Sequence, residues 1–148
     1  MPMNSILIVD DEAPIRLFLR KWLEKTGLEV REAEDSDSAL ASMEAAPAGV
    51  VFSDVQMPGR DGLWLTAEIR RRFPHTAVVL ATGVTTVPPS VSLRAGVLAY
   101  LVKPLAQARV MAAFETARRW HADTLAAGPS PDDVGDKLDD WLDSLAEL

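Results

Sequence analysis

The chain has 148 residues, enough for one domain whose core needs neither disulfides nor a structural metal. It contains no cysteine, which excludes disulfide frameworks, thiolate zinc sites, iron–sulfur clusters and cysteine nucleophiles. Of a formal charge of −7, most lies in residues 131–148, where Lys137 stands against Asp132, Asp133, Asp136, Asp139, Asp140, Asp143 and Glu147. The remaining body is nearly neutral and lacks the basic footprint that binding to nucleic acid requires, so no direct nucleic-acid partner is expected.

The opening MPMNSILIVDDE has no basic segment ahead of its apolar run, and no stretch nears the ~18 apolar residues of a membrane span. No export signal, no membrane and a cytoplasmic location are therefore expected. Apolar runs predict strands at Ser5 to Asp10, Leu28 to Ala33, Gly49 to Asp54, Thr76 to Ala81 and Val97 to Val102. Several are continuous rather than alternating, the pattern of a strand covered on both faces.

Between these runs the period changes to that of a helix. Ile15, Phe18, Leu19, Trp22 and Leu23 share one side of a first helix, with Pro14 in its opening turn and Gly27 beyond its end. Ala39, Leu40 and Met43 predict a second helix; Leu63, Trp64, Ala67 and Ile69 predict a third that stops ahead of Pro74. Ser90 to Ala95 predicts a short fourth, and Leu105 to about Ala122 a fifth. Strand and helix alternating five times imply a doubly wound α/β fold, a five-stranded parallel sheet with helices on both faces. Residues 126–135, AAGPSPDDVG, read as a linker. Beyond them Val134, Leu138, Trp141, Leu142 and Leu145 recur at helical spacing, suiting a helix that docks on its own domain or one that binds a partner or dimerises.

In an open parallel sheet the chemistry belongs at the carboxyl ends of the strands, near the point where strand order reverses. Asp10, Asp11 and Glu12 follow the first strand, Asp54 the third, Thr82 the fourth and Lys103 the fifth. Singly, the acids suit turns or caps, Lys103 a surface lysine and Thr82 an ordinary strand end. Together, carboxylates crowded at one poorly solvated edge call for a hard cation, and Mg²⁺ suits them because it takes oxygen ligands and keeps waters. His75 and His121 are isolated, which disfavours zinc. A lysine and a threonine facing such a site suit a phosphoryl group, and an aspartate can serve as its nucleophile.

These residues resemble the receiver domain of two-component response regulators over about residues 5 to 122. The similarity is carried by LIVDDE, by SDVQMPGRDG, by AT before Gly83 and by AGVLAYLVKP. The resemblance implies a (βα)5 flavodoxin-like receiver fold over 4–125; composition and spacing add the linker at 126–135 and a short acidic amphipathic helix at 136–148. It implies Asp54 as the phosphorylated residue, Asp11 as a direct Mg²⁺ ligand, Asp10 as a ligand through water, and the Gln56 carbonyl as a further ligand. Thr82 and Lys103 would contact phosphoryl oxygens, Tyr100 would turn inward with Thr82 as a switch, and Met57-Pro58 and Gly62 would form the loop beside Asp54. Lys103-Pro104 is a candidate cis peptide. The implied partners are a sensor histidine kinase or phosphotransfer protein, a downstream protein and a possible homodimer.

The sequence departs from the family pattern at Val87-Pro88-Pro89, where the fourth helix would begin. Gln56 and Val84 occupy positions that tune dephosphorylation in this family. Two other classes of function compete: a phosphate-independent module that keeps the receiver shape, and a Mg²⁺-dependent hydrolase, for which no glycine-rich phosphate loop is visible. The chain would act through a partner or as a part of a longer regulator.

Overall fold

A computed structural model describes residues 5–83 and 97–127, with Thr82 and Ala127 as backbone only. Strands β1 (Ser5–Val9), β2 (Glu29–Ala33), β3 (Val50–Ser53), β4 (Ala77–Thr82) and β5 (Val97–Val102) form one sheet in the order β2-β1-β3-β4-β5. All four pairings are parallel, as the unbroken apolar runs predict. The order in which strands are added to the sheet reverses between β1 and β3, and this is the crevice at which such folds bind ligands.

Helices α1 (Ala13–Leu23), α2 (Ser36–Ala45), α3 (Gly62–Arg72) and α4 (Gln107–Ala127) cover the sheet. One core layer joins α1 and α4 to the sheet through Ile6, Ile8, Leu19, Phe52, Phe114 and Trp120. The other joins α2 and α3 to the opposite face through Leu7, Leu40, Val51, Leu65, Ile69 and Leu80. Alternate residues of β1 and β3 thus serve opposite layers, which makes the sheet doubly wound.

Local signals explain the element ends. Pro14 sits in the first turn of α1, and Gly27 adopts the left-handed φ of +80° that closes the 3-10 turn Glu24–Thr26 before β2. Asp35 and Asp61 cap α2 and α3 by accepting hydrogen bonds from the backbone N–H groups of Ser38 and Trp64. The Ser36 hydroxyl donates to the carbonyl of Arg60 at 2.8 Å, tying the start of α2 to the loop that follows β3.

Three expectations shift. Phe18 is 50% exposed and stacks on Trp22 at 6.1 Å, because at 100° per residue it falls on the flank of the Leu19–Leu23 stripe. Ala67 is exposed; α3 buries Ile69 as expected, together with Leu65 and Thr66. Helix α4 continues past Ala122 to Ala127, taking in the first two residues of the expected linker. The expected helix over Ser90 to Ala95, the Val87-Pro88-Pro89 segment, Val84, the rest of the linker and the acidic segment at 136–148 lie outside the described residues.

The hydrogen bond from the Ser38 backbone holds the Asp35 carboxyl below the usual carboxylate range. A depressed folded-state value contributes stability that is present above the unfolded pKa of about 3.9 and is lost as pH falls through the folded value. Asp35→Ala should therefore cost about 1 kcal/mol in urea denaturation at pH 7. The gap from wild type should close as the pH is lowered below about 4.

Candidate functional site

Asp10 and Asp54 are the residues immediately after β1 and β3, and the sheet ladder continues into them. The Asp54 N–H donates to the Val9 carbonyl at 2.9 Å, and the Asp10 N–H donates to the Ala33 carbonyl at 3.1 Å. Backbone pairing therefore fixes both carboxylates at the β1/β3 reversal point. Both residues are buried, Asp10 to 1% exposure and Asp54 to 6%. The Glu12 N–H donates to Asp10 Oδ1 at 2.9 Å, and the Gln56 N–H donates to Asp54 Oδ1 at 3.2 Å, so each carboxylate has one oxygen held by backbone.

The other oxygens meet a cation. Lys103, directly after β5, donates from Nζ to Asp10 Oδ2 at 2.8 Å, to Asp54 Oδ2 at 3.0 Å and to Glu12 Oε2 at 3.2 Å. Lysine's three ammonium donors match these three acceptors. Burial pulls the Lys103 pKa down, but the hydrogen bonds and charges of Asp10 and Asp54 outweigh it, and the net shift is upward. Burial raises the Asp10 carboxyl above its ordinary range, against the lowering pull of Lys103. The lysine is thus firmly charged, while the carboxylates remain short of positive charge.

The oxygens of Asp10, Glu12 and Asp54 lie within 4.8 Å of one another, the kind of grouping that holds a metal ion. Three oxygen donors offset by a single ammonium suit a hard divalent cation better than a soft one. Asp11, expected as the direct ligand, does not join this grouping: it is exposed and lines an adjoining cleft of about 430 Å³ with Gln56, Met57, Pro58 and Asp61. Glu12 is the residue that sequence reasoning left without a role. It stands at the N-cap of α1 but makes no capping bond with its side chain, and its carboxylate turns to Lys103 instead.

The remaining expected residues are placed around this centre. Thr82 ends β4 beside Val102 of β5. Tyr100 is buried within the layer under α2 and α3, and burial followed by the charge of Asp54 raises its phenol pKa. The Lys103-Pro104 peptide is cis, as expected. In the loop after Asp54, Gly59 takes a left-handed φ of +79°, and the Gly62 N–H donates to the Val55 carbonyl at 2.8 Å.

A parallel α/β domain with buried acids and a lysine at its switch point is the architecture of a phosphoacceptor signalling module. Residues 6–115 match the response regulator receiver domain, and the chain belongs to that family. It is 34% identical over 116 residues to the C4-dicarboxylate transport transcriptional regulatory protein DctD of Rhizobium meliloti, covering 78% of this chain and 25% of DctD. Among solved structures, the receiver domain of NtrX from Brucella abortus has a TM-score of 0.72 and 35% identity, covering 77% of this chain and 98% of that one. The response regulator TrrA of Thermotoga maritima, solved in complex with Mg²⁺-BeF, has a TM-score of 0.71 and 30% identity, covering 78% of this chain and 99% of that one. The curated relatives are longer: the matched region spans from 21% of FleR of Pseudomonas aeruginosa to 56% of KdpE of Escherichia coli.

Gly62 is required by space. A Cβ there would meet the Asp54 carbonyl oxygen at 1.9 Å, which is backbone and cannot rotate away. Gly62→Ala should displace the Asp54 backbone, seen as large shifts of the Asp54 and Val55 amide resonances, and should cost about 1–3 kcal/mol in urea denaturation. Gly83→Ala is the contrast: its Cβ would touch the Lys103 stem at 3.9 Å, an ordinary contact, and stability should change by less than about 0.5 kcal/mol.

Proposed function

We propose that the chain is a phosphorylation-dependent response regulator in which Asp54 accepts a phosphoryl group from a phosphohistidine on a sensor histidine kinase or phosphotransfer protein. The observation that carries this reading is the Lys103 ammonium shared between the buried carboxylates of Asp10 and Asp54. Such a charge stands ready to neutralise negative oxygens arriving at Asp54.

The Asp54 carboxylate attacks phosphorus, the phosphorus–nitrogen bond breaks, and the electron pair returns to the imidazole of the donor. Backbone pairing at Asp54 and the Gln56 N–H orient the nucleophile, so the protein contributes mainly position and charge. Lys103 exchanges carboxylate partners for a phosphoryl oxygen as negative charge builds there, and Thr82 at the end of β4 donates to another. Water later cleaves the acyl phosphate and restores the carboxylate.

The donor set fits Mg²⁺, the ion present in the TrrA complex. Asp10, Glu12 and Asp54, whose oxygens lie together, would hold it, and Asp11 and the Gln56 carbonyl would join from the adjoining cleft that both residues line. When bound, the ion supplies charge neutralisation for the phosphoryl oxygens. The chemistry is single-turnover and self-directed, in keeping with a signalling module rather than a classical enzyme.

The output is a shift between two arrangements of the surface near β5, read by Thr82 and Tyr100 and passed to a downstream protein or a second copy. Among the described residues no helix is long and apolar enough to cross a membrane, and the reading places the protein in the cytoplasm. DctD and KdpE are transcriptional regulators of greater length, so the chain also fits the receiver part of a longer regulator, with any nucleic-acid contact made elsewhere in that protein.

Asp54→Asn should abolish acid-labile phosphoryl labelling by a small phosphodonor in the presence of Mg²⁺. Labelling that persists at the wild-type level would place the phosphoacceptor elsewhere.

A further inference from the structure

We propose that the acidic segment 134–148 folds back along α4 of its own chain and fills the groove between that helix and the entry to β2. The groove has a volume of about 1080 Å³, with Leu28 on one wall and Met111, Phe114, Arg118, Ala122 and Leu125 on the other. Thr26 and Leu28 precede β2, so this end of the sheet lies opposite the one that carries Asp10 and Asp54. The groove is therefore separate from the phosphoacceptor site, and the inference does not depend on it.

The occupant is argued from connectivity, length, pattern and charge. Leu125 and Ala126 line the groove and α4 ends at Ala127, so the following sequence leaves from the end of the groove itself. Gly128, Pro129 and Pro131 come next in the sequence, residue types that disfavour a continuing helix. Residues 128–133 make a six-residue connection, within the 2–8 residues that commonly join antiparallel helices. At 1.5 Å per residue, a helix over 134–148 would extend about 22 Å, and α4 from Leu125 back to Met111 extends about 21 Å.

Val134, Leu138, Trp141, Leu142 and Leu145 share one face of such a helix. That stripe matches an apolar wall whose exposed Ala112, Ala122 and Ala126 allow close approach of a second helix. The aspartates of the segment would meet Arg118 of the lining, while Lys25 and Arg119, next in sequence to the lining residues Thr26 and Arg118, are exposed. Glu115, the acid in the lining, is already paired with Arg118 and with Arg119. Surface pairs of this kind are weak singly, so burial of the apolar stripe carries the contact and charge selects its direction.

Because the full chain has no cysteine, Ser144→Cys supplies a single attachment point for a nitroxide on the flank of the apolar stripe. In antiparallel docking, the amides of Thr26 to Leu28 and Met111 to Arg118 should lose most of their NMR intensity, while Leu65 to Arg72 on the other sheet face keep theirs. Adding Leu142→Asp to the labelled chain should restore the lost signals. In a mixture of spin-labelled chain and unlabelled ¹⁵N chain the groove signals should stay intact. Broadening in that mixture would make the occupant a second copy and overturn the proposal. So would loss confined to the last turn of α4, or broadening that survives Leu142→Asp.

Discussion

One ammonium group organises the functional end of this protein. Lys103 lies 49 residues from Asp54 and 93 from Asp10, yet its Nζ sits within hydrogen-bond distance of both. Because β5 is an edge strand and β4 intervenes, the lysine stem must cross the end of β4 to reach the β1/β3 crevice. A Cβ added at Gly83 would lie 3.9 Å from that stem. Only a long, flexible side chain with several donors can span that gap and satisfy acids on two other strand ends. The strand order therefore explains why the cation comes from β5 and the acids from β1 and β3.

The same interaction shows why the site cannot be understood as a stabilising feature. Buried ion pairs seldom repay the cost of desolvating their members, and here three carboxylates share one ammonium. Burial raises the Asp10 carboxyl despite the lowering pull of Lys103, which shows the cost of holding it there. The two apolar layers, anchored by residues such as Phe52 and Leu65 with no exposed surface, supply the stability that allows such an arrangement to persist. Three carboxylates against one ammonium is a grouping that suits the divalent ion proposed for it.

Much of this could be read from the sequence because the informative signals are local. Five apolar runs located five strands, Pro14 marked the start of α1 and Gly27 the end of the 3-10 turn that follows it, and strand-end residues identified Asp10, Asp54 and Lys103 as neighbours. Long-range choices were less legible. Glu12 looks like any acid ahead of a helix, and nothing in its neighbourhood reveals that its carboxylate leaves the cap position for a lysine 91 residues away. Phe18 and Ala67 fit the helical period loosely, and only the packed faces show that Phe18 drops out of the Leu19–Leu23 stripe and that Leu65 is buried rather than Ala67. Helix α4 outruns its expected end because Ala122 to Ala127 contains no breaker, whereas Gly128 and Pro129 do follow.

Lys103 is the resident counter-charge of carboxylates that an arriving cation would have to share with it. Calorimetric titration of Mg²⁺ into wild type and Lys103→Met tests this most directly. Removing a charge that repels the ion across a few ångströms should tighten Mg²⁺ binding roughly tenfold. Binding that is unchanged or weaker in Lys103→Met would contradict the account.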